Sequence, residues 1–254
     1  TSELYSGSGI YDPSKTLIST TLTDISYGFS FIGLNKAGAS GGAIYIGANA
    51  AGSMSTVSLS DLNVYQNEAT GSGGGIYMTN GNLTLSASQL YSNISGSTGG
   101  GIYFDGDGSL YISGSYINNN TATGSGGGIY FAGNTLSITG NTSTYLTGST
   151  ISPDGSITVV TVNAMNSEVY GNVSKTGSGG GIYFAGNTLT LSGVGTDTTQ
   201  TTTVYEPDGS IRSQTSTTLA DTSDILIVSN TATAGDGGAV YIQENTSADT
   251  TLRI

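Results

Sequence analysis

The sequence predicts an all-β protein: a right-handed single-stranded parallel β-helix of about seven three-strand turns with two β-hairpin insertions. Three observations predict it. A Gly-Gly-(Gly/Ala)-apolar-Tyr string recurs along the chain. Each full copy is preceded at a near-fixed distance by an apolar–x–x–Asn motif. Apolar residues alternate with polar ones at a period of two, and helical spacing is absent.

The strings are GGAIYI at 41–46, GGGIYM at 73–78, GGGIYF at 99–104, 126–131 and 179–184, and GGAVYI at 237–242, with a degenerate GSGIY at 7–11. Alternation places Ile44 and Ile46, Ile76 and Met78, Ile102 and Phe104, Ile129 and Phe131, Ile182 and Phe184, and Val240 and Ile242 on an inner face. Tyr45, Tyr77, Tyr103, Tyr130, Tyr183 and Tyr241 then form an outward column, with Tyr65, Tyr91 and Tyr170 as a partial second one. Asn35, Asn67, Asn93 and Asn120 lie ten residues before their Tyr, and Asn172 and Asn230 eleven. Stacked Asn amides bond along the axis and satisfy turn groups that would otherwise be buried unpaired. Three residues before each Asn stands Ile32, Val64, Leu90, Ile117, Val169 or Ile227. After each Tyr comes an apolar–x–apolar strand, such as Leu83/Leu85 and Leu136/Ile138.

Successive Tyr spacings of 34, 32, 26, 27, 53 and 58 identify 26–27 residues as the bare unit. Two units carry insertions, at about 139–168 and 193–224, centred on ISPDGSI and YEPDGSI. Pro-Asp-Gly between Thr-rich alternating runs is a turn signal, so both read as hairpin arms lying side by side. A further excess falls in the Gly/Ala/Ser loop at 47–54. Residues 1–254 read as a single repeat domain.

Composition excludes several functions. With no Cys and no His there is no disulfide framework, thiolate nucleophile, zinc finger, Ser-His-Asp triad or HExxH site. Five basic against 17 acidic residues leave a net charge of −12, which argues against nucleic acid and anionic membrane as partners. No apolar run is long enough for a transmembrane helix, so no membrane insertion is expected of this segment. No leader is visible at the start, and ELYS at 3–6 and TLRI at 251–254 resemble strands cut from a longer array.

The apolar–x–x–Asn motif followed by GGAI at 41–44 and GGAV at 237–240 resembles the repeats of chlamydial-type polymorphic outer membrane proteins, and more broadly the β-helical passenger domains of autotransporter adhesins. GGGI replaces the family's GGA[ILV] in the middle copies, and Ile, Val or Leu replaces the Phe of its Phe-x-x-Asn. The resemblance implies an exported microbial surface or secreted protein with an adhesive or structural role and no catalytic residues.

The expected function is therefore a non-catalytic extracellular adhesin or stalk that presents Tyr ladders and hairpin arms. Its partner would be a protein or glycan on a host or neighbouring cell, or further copies of itself in a head-to-tail filament. A polysaccharide-binding or polysaccharide-cleaving β-helix protein is the competing reading, but cleavage needs clustered carboxylates, and here they are scattered. The outward Tyr column is the candidate binding surface; stacking for stability is its bland alternative. Asp105 and Asp107 in FDGDGS are the one candidate Ca²⁺ site, against a plain Gly-Asp turn. No other metal and no cofactor is expected. An ice-binding Thr row is interrupted, since Tyr111 and Ser137 stand between Thr84 and Thr190. Asn-x-Ser/Thr sequons at Asn82, Asn93 and Asn172 are chance products of an Asn- and Thr-rich chain.

Overall fold

The computed structural model describes residues 10–11, 17–19, 30–47, 55–140, 145–152, 154–162, 167–193, 198–219, 225–243 and 251–253. Every regular element among them is a strand. The chain divides into two compact units: Ser30–Asn141, Asn166–Val194 and Ser223–Ile254 form one, and Thr1–Phe29, Thr142–Met165 and Gly195–Thr222 form the other.

The larger unit is a parallel β-helix. Each strand pairs in register with the same strand one repeat along. The residues before each Asn form a six-stranded parallel sheet, from Ser30–Gly33 through Leu62–Tyr65, Gln89–Tyr91, Tyr116–Asn118 and Ser167–Tyr170 to Ile225–Val228. The two residues after each Asn form a second six-stranded sheet, from Lys36–Ala37 to Thr231–Ala232. The Tyr strands and the apolar–x–apolar strands share a third sheet. In Ile76–Ser86 and Ile102–Ser113 they run together as one long strand. Sequence reading separated these two strands and did not resolve the two-residue strand. The described residues contain six turns. Of the degenerate string at 7–11 only Ile10–Tyr11 falls among the described residues; it lies in the other unit and pairs antiparallel with Leu17–Ser19.

The corners follow from backbone chemistry. The residue before each Asn is left-handed in every turn: Leu34 (φ 62°), Gln66 (51°), Ser92 (56°), Asn119 (53°), Gly171 (63°) and Ser229 (55°). The first glycine of each string is left-handed as well, from Gly41 (71°) to Gly237 (66°). The second glycine is required by close approach. A Cβ on Gly127 would lie 2.3 Å from the Gly180 carbonyl oxygen of the next turn.

Alternation fills the interior. Ile76, Met78, Ile102, Phe104, Ile129, Phe131, Ile182 and Phe184 are fully buried, with Leu83, Leu85, Leu110, Leu136, Ile138 and Leu189 from the same sheet. Val64, Leu90, Ile117 and Val169 close the core from the facing sheet. Phe104, Phe131 and Phe184 stack at 5.1 and 5.5 Å.

The smaller unit holds a four-stranded antiparallel sheet. Tyr145–Ile151 pairs with Ile157–Val162, which pairs with Thr198–Tyr205, which pairs with Ile211–Leu219. Asp154 Oδ1 accepts from Ser156 N (3.0 Å) and Oγ (2.6 Å), and Asp208 Oδ1 from Ser210 N (2.9 Å) and Oγ (2.6 Å). The repeated Asp-Gly-Ser is thus one turn used twice, with Gly155 (φ 82°) and Gly209 (φ 85°) supplying the reversal. The loop at 47–54, beyond Gly47, lies outside the described residues.

Candidate functional site

The six expected tyrosines stack. Their ring centroids are 4.8 Å apart for Tyr45–Tyr77, 4.9 Å for Tyr77–Tyr103, 5.0 Å for Tyr103–Tyr130, 4.8 Å for Tyr130–Tyr183 and 5.2 Å for Tyr183–Tyr241. Interplanar angles run from 4° to 18°. Each inner ring therefore has a neighbour on both faces, and solvent meets mainly ring edges and phenol oxygens. The second column is shorter than expected. Tyr65 and Tyr91 stack at 5.4 Å, but Asn118 separates Tyr91 from Tyr170.

Tyr103 differs from its neighbours. Its hydroxyl donates to Asp105 Oδ2 at 2.9 Å. Burial, then this bond and the carboxylate's charge, hold its phenol well above the ordinary range. Burial also raises Tyr77, Tyr130 and Tyr183. Tyr183 hydrogen-bonds Gln243 Oε1.

The candidate calcium pair is engaged locally. Asp105 Oδ1 accepts from Gly106 N (2.8 Å), while the Asp107 amide donates to Asn80 Oδ1 (2.9 Å). Among the described residues, no group of three or more Asp, Glu, His or Cys side chains is placed to hold a metal ion.

The Asn column is a continuous ladder. Backbone N and Nδ2 of Asn35 both donate to Asn67 Oδ1 (3.1 and 2.9 Å), and those of Asn67 to Asn93 Oδ1 (3.0 and 2.9 Å). Asn93 bonds Asn120 in the same way (2.9 and 2.9 Å), Asn120 bonds Asn172 (3.0 and 3.1 Å), and Asn172 bonds Asn230 (3.0 and 2.9 Å). The other Nδ2 proton reaches back one turn, from Asn67 to Ile32 O, Asn93 to Val64 O, Asn120 to Leu90 O, Asn172 to Ile117 O and Asn230 to Val169 O, at 2.7–3.0 Å. The apolar–x–x–Asn spacing thus has two parts: the apolar side chain fills the core, and its carbonyl receives the next turn's amide.

A serine ladder escaped the sequence reading. Leu62 N donates to Ser88 Oγ (3.1 Å), Ser88 N to Ser115 Oγ (3.2 Å) and Ser115 N to Ser167 Oγ (3.2 Å). Each hydroxyl caps a carbonyl: Ser86 O, Ser113 O and Thr139 O. The signal was a Ser two residues before the apolar position in SASQL, SGSYI and NSEVY.

In the smaller unit Arg212 ties the two Asp-Gly-Ser turns together. Its Nε and Nη2 donate to Glu206 (2.6 and 2.8 Å), and its Nη1 and Nη2 to Asp154 Oδ2 (both 3.1 Å). The Ser156 bonds first, and then Arg212, lower the Asp154 carboxyl to about 2.

Residues 114–132 match the Chlamydia polymorphic membrane protein (Chlamydia_PMP) repeat model. The matched stretch runs from Gly114, through Ile117 and Asn120 of one ladder position, to the GGGIYF string. This chain is thus similar, over one repeat, to a family of bacterial outer membrane surface proteins. No curated protein and no solved structure matches it.

Proposed function

We propose that the chain is a non-catalytic, surface-exposed module of a microbial cell envelope, acting extracellularly as an adhesin or structural stalk. The observation that carries this reading is the repeat at 114–132, which belongs to an in-register stack of six turns. The interior is spent on packing and ladders, so recognition falls to the outward side chains of the sheets. The presented features are the row of Tyr edges and hydroxyls and the paired hairpins. The partner is a protein or glycan of another cell.

Beads coated with the chain are expected to adhere to cultured cells several-fold above albumin-coated beads. Incubation with polysaccharides should release no new reducing ends. Adhesion at the albumin level would overturn the adhesive reading, and released reducing ends the non-catalytic one.

A further inference from the structure

We propose that the outer face of the apolar–x–apolar strands binds a neutral polysaccharide, with Tyr111 as its stacking platform; this rests on the surface-module reading above. Register places Ser58, Thr84, Tyr111, Ser137 and Thr190 in one row across five turns. The alternating Leu and Ile of these strands point inward, so the row points outward. One flanking row, from Ser60 to Ser192, is Ser or Thr at every turn, and the other, from Thr56 to Thr188, is Ser, Thr or Asn, with Ser109 buried. Neighbouring hydroxyls stand about 4.8 Å apart along the stack and about 6.6 Å apart along a strand.

Tyr111 is unlike the tyrosines of the column. Its lateral neighbours are Thr84 and Ser137, and it makes no ring–ring contact among the described residues. It is 44% exposed, so a ring face is open. A pyranose has a C–H face and a rim of hydroxyls. An open aromatic face takes the first, and rows of hydroxyl donors and acceptors answer the second. The repeat of the rows favours a polymer over a single sugar, because many weak contacts then act together.

Charge selects the class of polymer. From Thr56 to Ser192 the three rows contain no charged residue, and Arg253, in register with Thr190 one turn further on, is the one charge at their end, in a chain of net charge −12. Uronic, sulfated or phosphorylated chains would find a single basic residue, at one end of the rows, against a repelling overall field, while a neutral chain meets no such repulsion.

The test is affinity electrophoresis of the whole chain in gels containing hydroxyethylcellulose, laminarin or mannan. Retardation in at least one gel is expected, with at least a tenfold loss of apparent affinity in Tyr111→Thr. That variant carries the residue found at the same position in two other turns, Thr84 and Thr190, so its fold and melting temperature should be retained. Thr84→Val with Thr190→Val removes two hydroxyls at constant shape and should also weaken retardation. No retardation of the wild type in any of the three gels, or retardation of Tyr111→Thr within twofold of wild type, would overturn the proposal. The bead assay separates the two readings: beads that adhere without polysaccharide retardation leave the adhesin reading standing and remove only this face.

Discussion

Asn120 shows how one residue type sustains the helix. Its Oδ1 takes two donors from Asn93, its own N and Nδ2 supply Asn172, and its other amide proton reaches Leu90 O. Asn120→Ala strands buried donors on Asn93, removes the amide bond to Leu90 O and leaves Asn172 Oδ1 only the backbone N–H of residue 120, and should cost about 3 kcal/mol or more, read as a lower urea midpoint. Asn120→Asp retains the acceptor but sets a carboxylate oxygen against Leu90 O, and should be no better. The position before each Asn offers the opposite case. Gln66 is exposed and held at φ 51°. The left-handed penalty of ~1–2 kcal/mol for a residue with a Cβ is partly offset by the greater unfolded freedom of glycine, so Gln66→Gly should stabilise by about 0.5–1 kcal/mol. A lower melting temperature in that variant would contradict this account. At this scale the sequence was informative for asparagine, whose spacing from Tyr is nearly invariant. It was uninformative for Ser88, Ser115 and Ser167, because serine is abundant everywhere in the chain and a three-member column does not stand out.

Strands and corners are set by contacts between turns. The glycine string contains two unequal positions. At Gly127 an added Cβ meets backbone on the adjoining turn, at 2.3 Å from Gly180 O and 2.5 Å from Val173 C. At Gly128 the nearest atoms are Gly181 O at 2.7 Å and the Asn172 amide at 3.0 Å, and the equivalent site houses Ala43 in another turn. Gly128→Ala should therefore cost about 1 kcal/mol and Gly127→Ala about 3 kcal/mol or more, the upper end of overpacking, measured by chemical unfolding. Period two made the strands and their inner faces legible. It could not show that the Tyr strand and its successor lie in one sheet, because joining them depends on Asn80 (φ 60°), Gly81 (φ 107°), Gly106 (φ 90°) and Gly108 (φ 135°), whose dihedrals no spacing reveals. The two-residue strand after each Asn is too short to carry a period at all.

Across the molecule, the absence of His and Cys leaves a broad pH range in which no side chain of ordinary pKa changes charge. The limits lie at the extremes. Tyr77, Tyr103, Tyr130 and Tyr183 are raised when folded, so the unfolded chain releases phenol protons first as pH rises past about 10. Stability contributed by these neutral phenols is complete below that pH and is lost above it. Urea midpoints should be flat from pH 6 to 9 and fall from pH 10 upward, with Tyr103→Phe shallower in its decline. At the acid end the shift is opposite in sign. Asp154 is lowered to about 2, so its tie to Arg212 is intact above about pH 4 and is lost as pH falls through 2. Carboxyl ¹³C titration should give a midpoint near 2. Arg212→Gln should move that midpoint only part of the way back, because the Ser156 bonds are the larger cause. The two Pro-Asp-Gly centres announced turns in the sequence. Arg212 had no such signal, since its partners lie 6 and 58 residues away.

The asparagine column is also vectorial. Every carboxamide presents its oxygen to the preceding layer and its nitrogen to the following one, so the small dipoles add rather than cancel. An extra layer grafted beyond Asn230 must offer an oxygen first, and one grafted ahead of Asn35 must offer a nitrogen. A layer inserted upside down would face like with like, which makes this scaffold extendable by design in a single orientation.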